Sequence, residues 1–270
     1  MRWRMAWAMR EQGRIQEAVV ESRAAYAELA RLLPPNDISV IEAGSIHAIL
    51  LSDVGRSEEA AALERVMIER SSAVRGPDHA KTIVLRNALA VFLLRMKDFA
   101  AGERELKSLL EANIRLHGKD NEHALMTHSN LVGALLEQGK LEEAGEHARI
   151  AMEGMRKRYG TDNYFAIMAR YQYGKWLLAA GRPKDALREQ QGALASALKV
   201  MGEKHPGTVT VLNALAQAEL ALGRVHDARA SAERAMVAMR ALAGKNTAPL
   251  SPIRETLEKI EAAERGAGKG

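Results

Sequence analysis

The 270-residue sequence contains no cysteine, so disulfides, thiolate metal sites and cysteine nucleophiles are excluded at once. Their absence is compatible with a reducing compartment, and a cytoplasmic location is expected. Aromatic residues make up only 4% of the chain. A core must therefore be assembled from Ala, Leu, Val and Met, which suits closely packed helices better than sheets built from β-branched and aromatic side chains. No uninterrupted apolar run approaches the roughly 18 residues of a membrane span. The N-terminus, "MRWRMAWAMREQGR", has arginines but neither the apolar segment nor the cleavage site of a signal peptide.

What is present is a large apolar fraction, 47%, enough for a substantial core and too much for a disordered chain. The net charge is +5 with a pI near 9.4. Basic and acidic residues are interleaved throughout, as in "REQGRIQEA" and "RETLEKIEAAER", which reads as solvated helix faces rather than a nucleic-acid stripe.

Two glycine series give the chain its beat. Gly76, Gly118, Gly160, Gly202 and Gly244 are each 42 residues apart (118 − 76 = 42). Gly13, Gly55, Gly139, Gly181 and Gly223 fall on a second grid of the same period, with Lys97 in its one vacant slot. Five residues after each inner position stands a small residue: Ala18, Ala60, Gly102, Ala144, Ala186 and Ala228. Eight before lie Met5, His47, Leu89, Leu131, Tyr173 and Leu215.

Between an outer and an inner glycine the apolar residues recur at helical spacing, as at Val209, Leu212, Leu215, Ala216 and Leu220. The inner glycine ends that helix, because it accepts the left-handed backbone of a C-terminal cap. A second amphipathic run follows, for example Ala228, Ala232, Ala235, Met236 and Met239. Each unit is thus helix, short turn, helix, longer turn, and neither helix can bury its apolar stripe without stacked neighbours. Asp37, His79, Asn121, Asn163 and His205 occupy the position before each first helix and are expected to cap it, with Pro206 at the first helical position. The flanking Asn36, Asp78, Asp120, Asp162 and Lys204 could share that role.

The segments "LNALAQAELALGRVHDARASAERAM" and "HSNLVGALLEQGKLEEAGEHARIAM" resemble tetratricopeptide repeats, with Leu and a small residue in the first helix, then Gly, then an early Ala in the second. The usual repeat has about 34 residues. The longer unit here, with "HPGTVTVLNALA", is similar to the variety in kinesin light chains and bacterial multidomain regulators. The resemblance implies an all-α, right-handed superhelical solenoid of stacked antiparallel helix pairs. About six units are expected, over 1–33, 34–75, 76–117, 118–159, 160–201 and 202–243. A charged cap helix over 251–265 would complete a single domain of 1–265, followed by a disordered tail at 266–270. The pattern is interrupted by His47 and Ser52 in the second unit and by Lys97 and Gly102 in the third. Only 12 residues precede Gly13, which suggests the C-terminal piece of a longer protein, or association through an N-terminal edge bearing Trp3 and Trp7.

The resemblance further implies that first helices line a concave groove. Carried over by register, one row ten residues before the inner glycine is Trp3, Ser45, Asn87, Ser129, Tyr171 and Asn213. Four residues on, the second row is Trp7, Ile49, Val91, Gly133, Lys175 and Gln217. Asn and Ser can donate to and accept from the backbone of an extended peptide. The expectation is a peptide with an apolar anchor near Trp7, Ile49 and Val91 and a polar or acidic portion near Lys175.

Catalytic and metal chemistry finds no foothold in the pattern. No two histidines share the i, i+4 spacing of a helical zinc site, and His123 and His128 are five apart. "GAGKG" lacks the spacing and hydroxyl of a phosphate loop, and no Gly-x-Ser-x-Gly elbow occurs. A non-enzymatic protein-interaction module without cofactors is expected. The alternative is the regulatory or sensor region of a larger bacterial kinase or transcription regulator. RNA binding by a basic solenoid is the third reading, which the lack of a basic stripe disfavours.

Overall fold

The computed structural model describes residues 2–12, 14–243 and 250–267. The glycines at 13 and 244 and the tail residues 268–270 lie outside the described residues. Among those described there are thirteen helices and no strand. They are α1 (Arg2–Glu11), α2 (Ile15–Leu32), α3 (Ile38–Asp53), α4 (Ser57–Arg75), α5 (Ala80–Arg95), α6 (Phe99–His117), α7 (Glu122–Glu137), α8 (Leu141–Tyr159), α9 (Tyr164–Ala179), α10 (Pro183–Val200), α11 (Pro206–Ala221), α12 (Val225–Ala243) and α13 (Ser251–Ala267). The chain divides into two compact units, Met1–Leu116 and His117–Gly270, parted at a repeat boundary. Each is a stack of helix pairs in which α1, α3 and α5, or α7, α9 and α11, are the first helices.

The turns follow from backbone chemistry. Gly55, Gly139, Gly181 and Gly223 all have φ between 71° and 85°. The next residue's amide reaches back five positions, as Arg56 N–H to the Leu51 carbonyl at 2.9 Å and Arg182 N–H to Leu177 at 2.9 Å. That pair of features is a Schellman cap, which satisfies carbonyls the helix end would otherwise orphan. The third pair makes the same turn without glycine: Lys97 takes φ 62°, and Asp98 N–H reaches the Leu93 carbonyl at 3.0 Å. The outer glycines differ. Gly76 (φ 93°, ψ 155°) and Gly160 (φ 73°, ψ −165°) sit in an extended region with positive φ that is essentially confined to glycine.

Each first helix from α3 to α11 opens with a side-chain cap. Asp37 accepts from Ser39 N–H (2.7 Å), Asn121 from Ala124 (3.0 Å) and Asn163 from Phe165 (2.9 Å). The Nδ1 atoms of His79 and His205 do the same, from Lys81 at 3.2 Å and Gly207 at 3.0 Å. The histidines therefore serve as caps through Nδ1, in the place that Asp and Asn hold in the other pairs. The flanking acids are engaged differently. Asp78 binds Arg115 (2.6 Å), and Asp162 binds Ser196 (2.8 Å) and Lys199. Both tie the start of a first helix to the end of its own second helix.

The small residues after each inner turn are the points of closest approach. Ala18, Ala60, Ala144, Ala186 and Ala228 are fully buried. At Gly102 a Cβ would meet Leu94 Cδ2 at 2.5 Å, so the glycine leaves room for the leucine above it. Helix α13 extends two residues beyond its expected end. It lies on the 42-residue register, with Leu257 aligned to Leu215, Tyr173 and Leu131. Ile253, Thr256 and Ile260 are buried against α11 and α12, while Glu255, Glu258 and Glu261 are exposed. The cap is a seventh first helix whose outer face is charged.

Candidate partner-binding face

The register rows expected to line a groove separate into residues that are available and residues that are not. In the first unit Trp7 is exposed, while Trp3, Ile49, Asn87 and Val91 are half-buried. Ser45 is buried and turned into its own helix pair, where its hydroxyl donates to Glu64 Oε1 at 2.8 Å. Glu64 is fully buried and its Oε2 has no hydrogen-bond partner. Loss of solvent pushes its pKa up to about 8, against the opposing pull of the Ser45 hydroxyl. Nearby, His47 Nδ1 meets Ser22 Oγ at 2.9 Å, and burial lowers its pKa, helped by Arg56 and Arg23.

Between α1 and α3 an open cavity of about 330 Å³ is lined by Trp3, Arg4, Trp7 and Ile46. Trp3 and Trp7 share one face because they are four residues apart on a helix. The Arg4 guanidinium lies 5.0 Å from the Trp3 ring centre, and that of Arg10 lies 4.8 Å from Trp7. Arg10 is itself bound to Asp53 at 2.6 Å.

In the second unit Ser129, Gly133, Tyr171 and Lys175 are half-buried on the first-helix side, with Lys175 Nζ 5.9 Å from the Tyr171 ring centre. Asn213 and Gln217 are taken by the cap. Asn213 Nδ2 donates to the Pro252 carbonyl at 3.4 Å, and Gln217 Nε2 to Thr256 Oγ1 at 3.2 Å. Register alone puts both on the open face, and the structure corrects this. The aligned apolar row of α13 makes it a packing neighbour of α11, so its first turns cover these two side chains.

Two contacts between helices of a pair are absent from the sequence-based expectations. The first is an Arg–Glu bond at a separation of 19: Arg2–Glu21 (2.6 Å), Arg86–Glu105 (2.7 Å) and Arg170–Glu189 (2.8 Å). It recurs every second pair, and a search at 84 residues would have found it. The second fills the same register in the fourth pair, where His128 Nδ1 meets His147 Nδ1 at 2.6 Å. One imidazole must donate and the other accept. Burial, and then the neighbouring His147, lower the His128 pKa to about 4. Among the described residues no group of three or more His, Asp or Glu could hold a metal ion, and no helix is long and apolar enough to cross a membrane.

Paired helices, glycine-timed turns and a first-helix side with half-exposed side chains define a helical-repeat protein. The family model of the tetratricopeptide repeat matches residues 123–191 and 165–241, all within the second compact unit. Solved structures agree on the fold. BtubC (BKLC) from P. vanneervenii is similar at 18% identity over 85% of this chain and 92% of that one, with TM-score 0.65. A Podosopora anserina putative kinesin light chain with nearly identical TPR-like repeats is similar at 15% identity over 77% and 97%, TM-score 0.58. A Rap protein complexed with Competence and Sporulation Factor is similar at 12% identity over 97% and 86%, TM-score 0.60. No curated protein sequence matches the chain.

Proposed function

We propose that the chain is a non-enzymatic protein-interaction module that holds an extended segment of a protein partner on the first-helix faces of its repeats. The observation that carries this is the set of side chains left available there. Trp7, Ile49 and Val91 offer apolar area in the first unit; Ser129, Tyr171 and Lys175 offer hydrogen bonds and a cation in the second. Ser45, Asn213 and Gln217 are engaged inside the fold and contribute little to such a surface. A regulatory version of the same function has support from the Rap protein of similar fold, which is complexed with a named factor. Helix pairs in this arrangement can hold a partner, and a docking region of a larger signalling protein would use the same faces. The test is substitution at available positions. Ile49→Asp in the first unit and Lys175→Glu in the second are expected to weaken partner binding at least ten-fold each, with helicity by circular dichroism retained. Unchanged affinity in both would refute binding on these faces.

A further inference from the structure

The chain has three tryptophans, and two of them stand four residues apart on α1, around the cavity completed by Arg4 and Ile46. We infer that this cavity takes one bulky apolar side chain of a protein partner whose adjacent residue is a carboxylate, held by Arg4. The inference rests on the protein-interaction reading above and specifies the partner's chemistry at one place.

The apolar half follows from the walls. Two indoles and an isoleucine surround an open space of about 330 Å³, enough for a Leu, Met or Phe side chain that is otherwise costly to expose. The charged half follows from an inventory of the cations on α1. Arg2 is bound to Glu21 at 2.6 Å and Glu28 at 3.2 Å, and Arg10 to Asp53 at 2.6 Å. Arg4 has no carboxylate partner among the described residues. Its guanidinium lies over Trp3 at the cavity, exposed and with its planar fork of donors open to a carboxylate.

Other ligands fit less well. A cationic group would seek the indole faces, but Arg4 and Arg10 already lie over Trp3 and Trp7, and a third cation would be repelled. A nucleobase would need hydrogen-bonding groups for its edges and a row of cations for its backbone. Ile46 provides neither, and Arg2 and Arg10 are neutralised.

The experiment uses the full chain and three fluorescein-labelled peptides with identical Gly-Ser flanks and cores Glu-Phe-Asp, Lys-Phe-Lys and Glu-Ala-Asp, read by anisotropy. The acidic-aromatic core is expected to bind at least ten-fold more tightly than either control. Arg4→Glu, an exposed change that leaves the core intact, is expected to abolish that preference and favour the Lys-Phe-Lys core. Trp7→Ala should weaken both Phe-containing peptides, with circular dichroism confirming an intact fold. Equal binding of the three cores, no binding up to millimolar peptide, a preference unmoved by Arg4→Glu, or tighter binding of an oligonucleotide would each overturn the inference. So would self-association of the chain that Trp7→Ala abolishes. Partner binding that is sensitive to Lys175→Glu but indifferent to Arg4→Glu and Trp7→Ala would overturn it while leaving the interaction-module reading in place.

Discussion

The second unit keeps the 42-residue pattern closely enough to be matched by the family model over 123–241, whereas the first carries most of its departures: His47, Ser52, Lys97, Gly102 and the buried Glu64. Yet the turns are alike in both. Lys97 adopts the glycine backbone, Leu94 fills the space over Gly102, Ser22 satisfies His47, and Ser45 partly satisfies Glu64. The second unit makes similar accommodations, with Ser231 donating to Glu219 (2.8 Å) and Thr208 to the Gly202 carbonyl (2.7 Å). A helix-pair repeat therefore tolerates polar substitutions when the compensating group lies in the same or the adjoining helix. Family patterns register the substitution and not the compensation.

Removal of α13 should set the two units furthest apart. Ile253, Leu257 and Ile260 pack against α11 and α12, and losing them should cost the second unit about 5 kcal/mol, at about 1.5–3 kcal/mol per buried side chain. Urea unfolding followed through Trp176, in a background where Trp3 and Trp7 are Phe, is expected to shift to much lower denaturant. Little change would deny that stability comes from neighbour stacking.

Titration should separate the units next. The Glu64 pKa is raised in the folded state, so its contribution is fully present below the unfolded value near 4.5 and is lost as pH rises towards about 8. The His128 pKa is lowered to about 4, so its contribution is present above the unfolded value near 6.5 and is lost as pH falls towards about 4. Between roughly pH 4.5 and 6.5 the two slopes have opposite sign. His47 and Glu219 oppose these trends within their own units, so the informative quantity is the change made by a variant. Glu64→Gln should flatten the alkaline loss, an effect on the order of 5 kcal/mol, and His128→Leu, the residue at the same register in the sixth pair, the acidic loss. Denaturation midpoints across pH 4 to 9 check both. Parallel profiles before and after substitution would remove these groups from the comparison.

The smallest effects concern the turns. Lys97→Gly should stabilise the first unit by about 1 kcal/mol, since it relieves a left-handed backbone in a residue with a Cβ. Gly160→Ala should cost the second unit about 2 kcal/mol, because its extended positive-φ conformation is nearly closed to other residues. Equal tolerance at both sites, read from urea midpoints, would mean that the two glycine series are interchangeable.

The fold is legible in the sequence because its signals are local. Glycine timing, the caps from Asp37 to His205 and the buried alanines each depend on neighbours a few residues away. The face is only partly legible, because availability depends on what lies across the pair or on the next helix. Ser45 is occupied by the Glu64 beneath it, and Asn213 and Gln217 by Pro252 and Thr256 of the α13 segment. The His128–His147 contact joins residues 19 apart on antiparallel helices, a spacing that single-helix motifs do not sample.

A decisive measurement places a photo-cross-linking amino acid, one position at a time, at Val91 and Lys175 on first helices and at the exposed Val66 and Ile150 on second helices. Partner cross-links are expected from Val91 and Lys175 and not from Val66 or Ile150. Equal or greater yield from the second-helix positions would contradict a partner held on the first-helix faces.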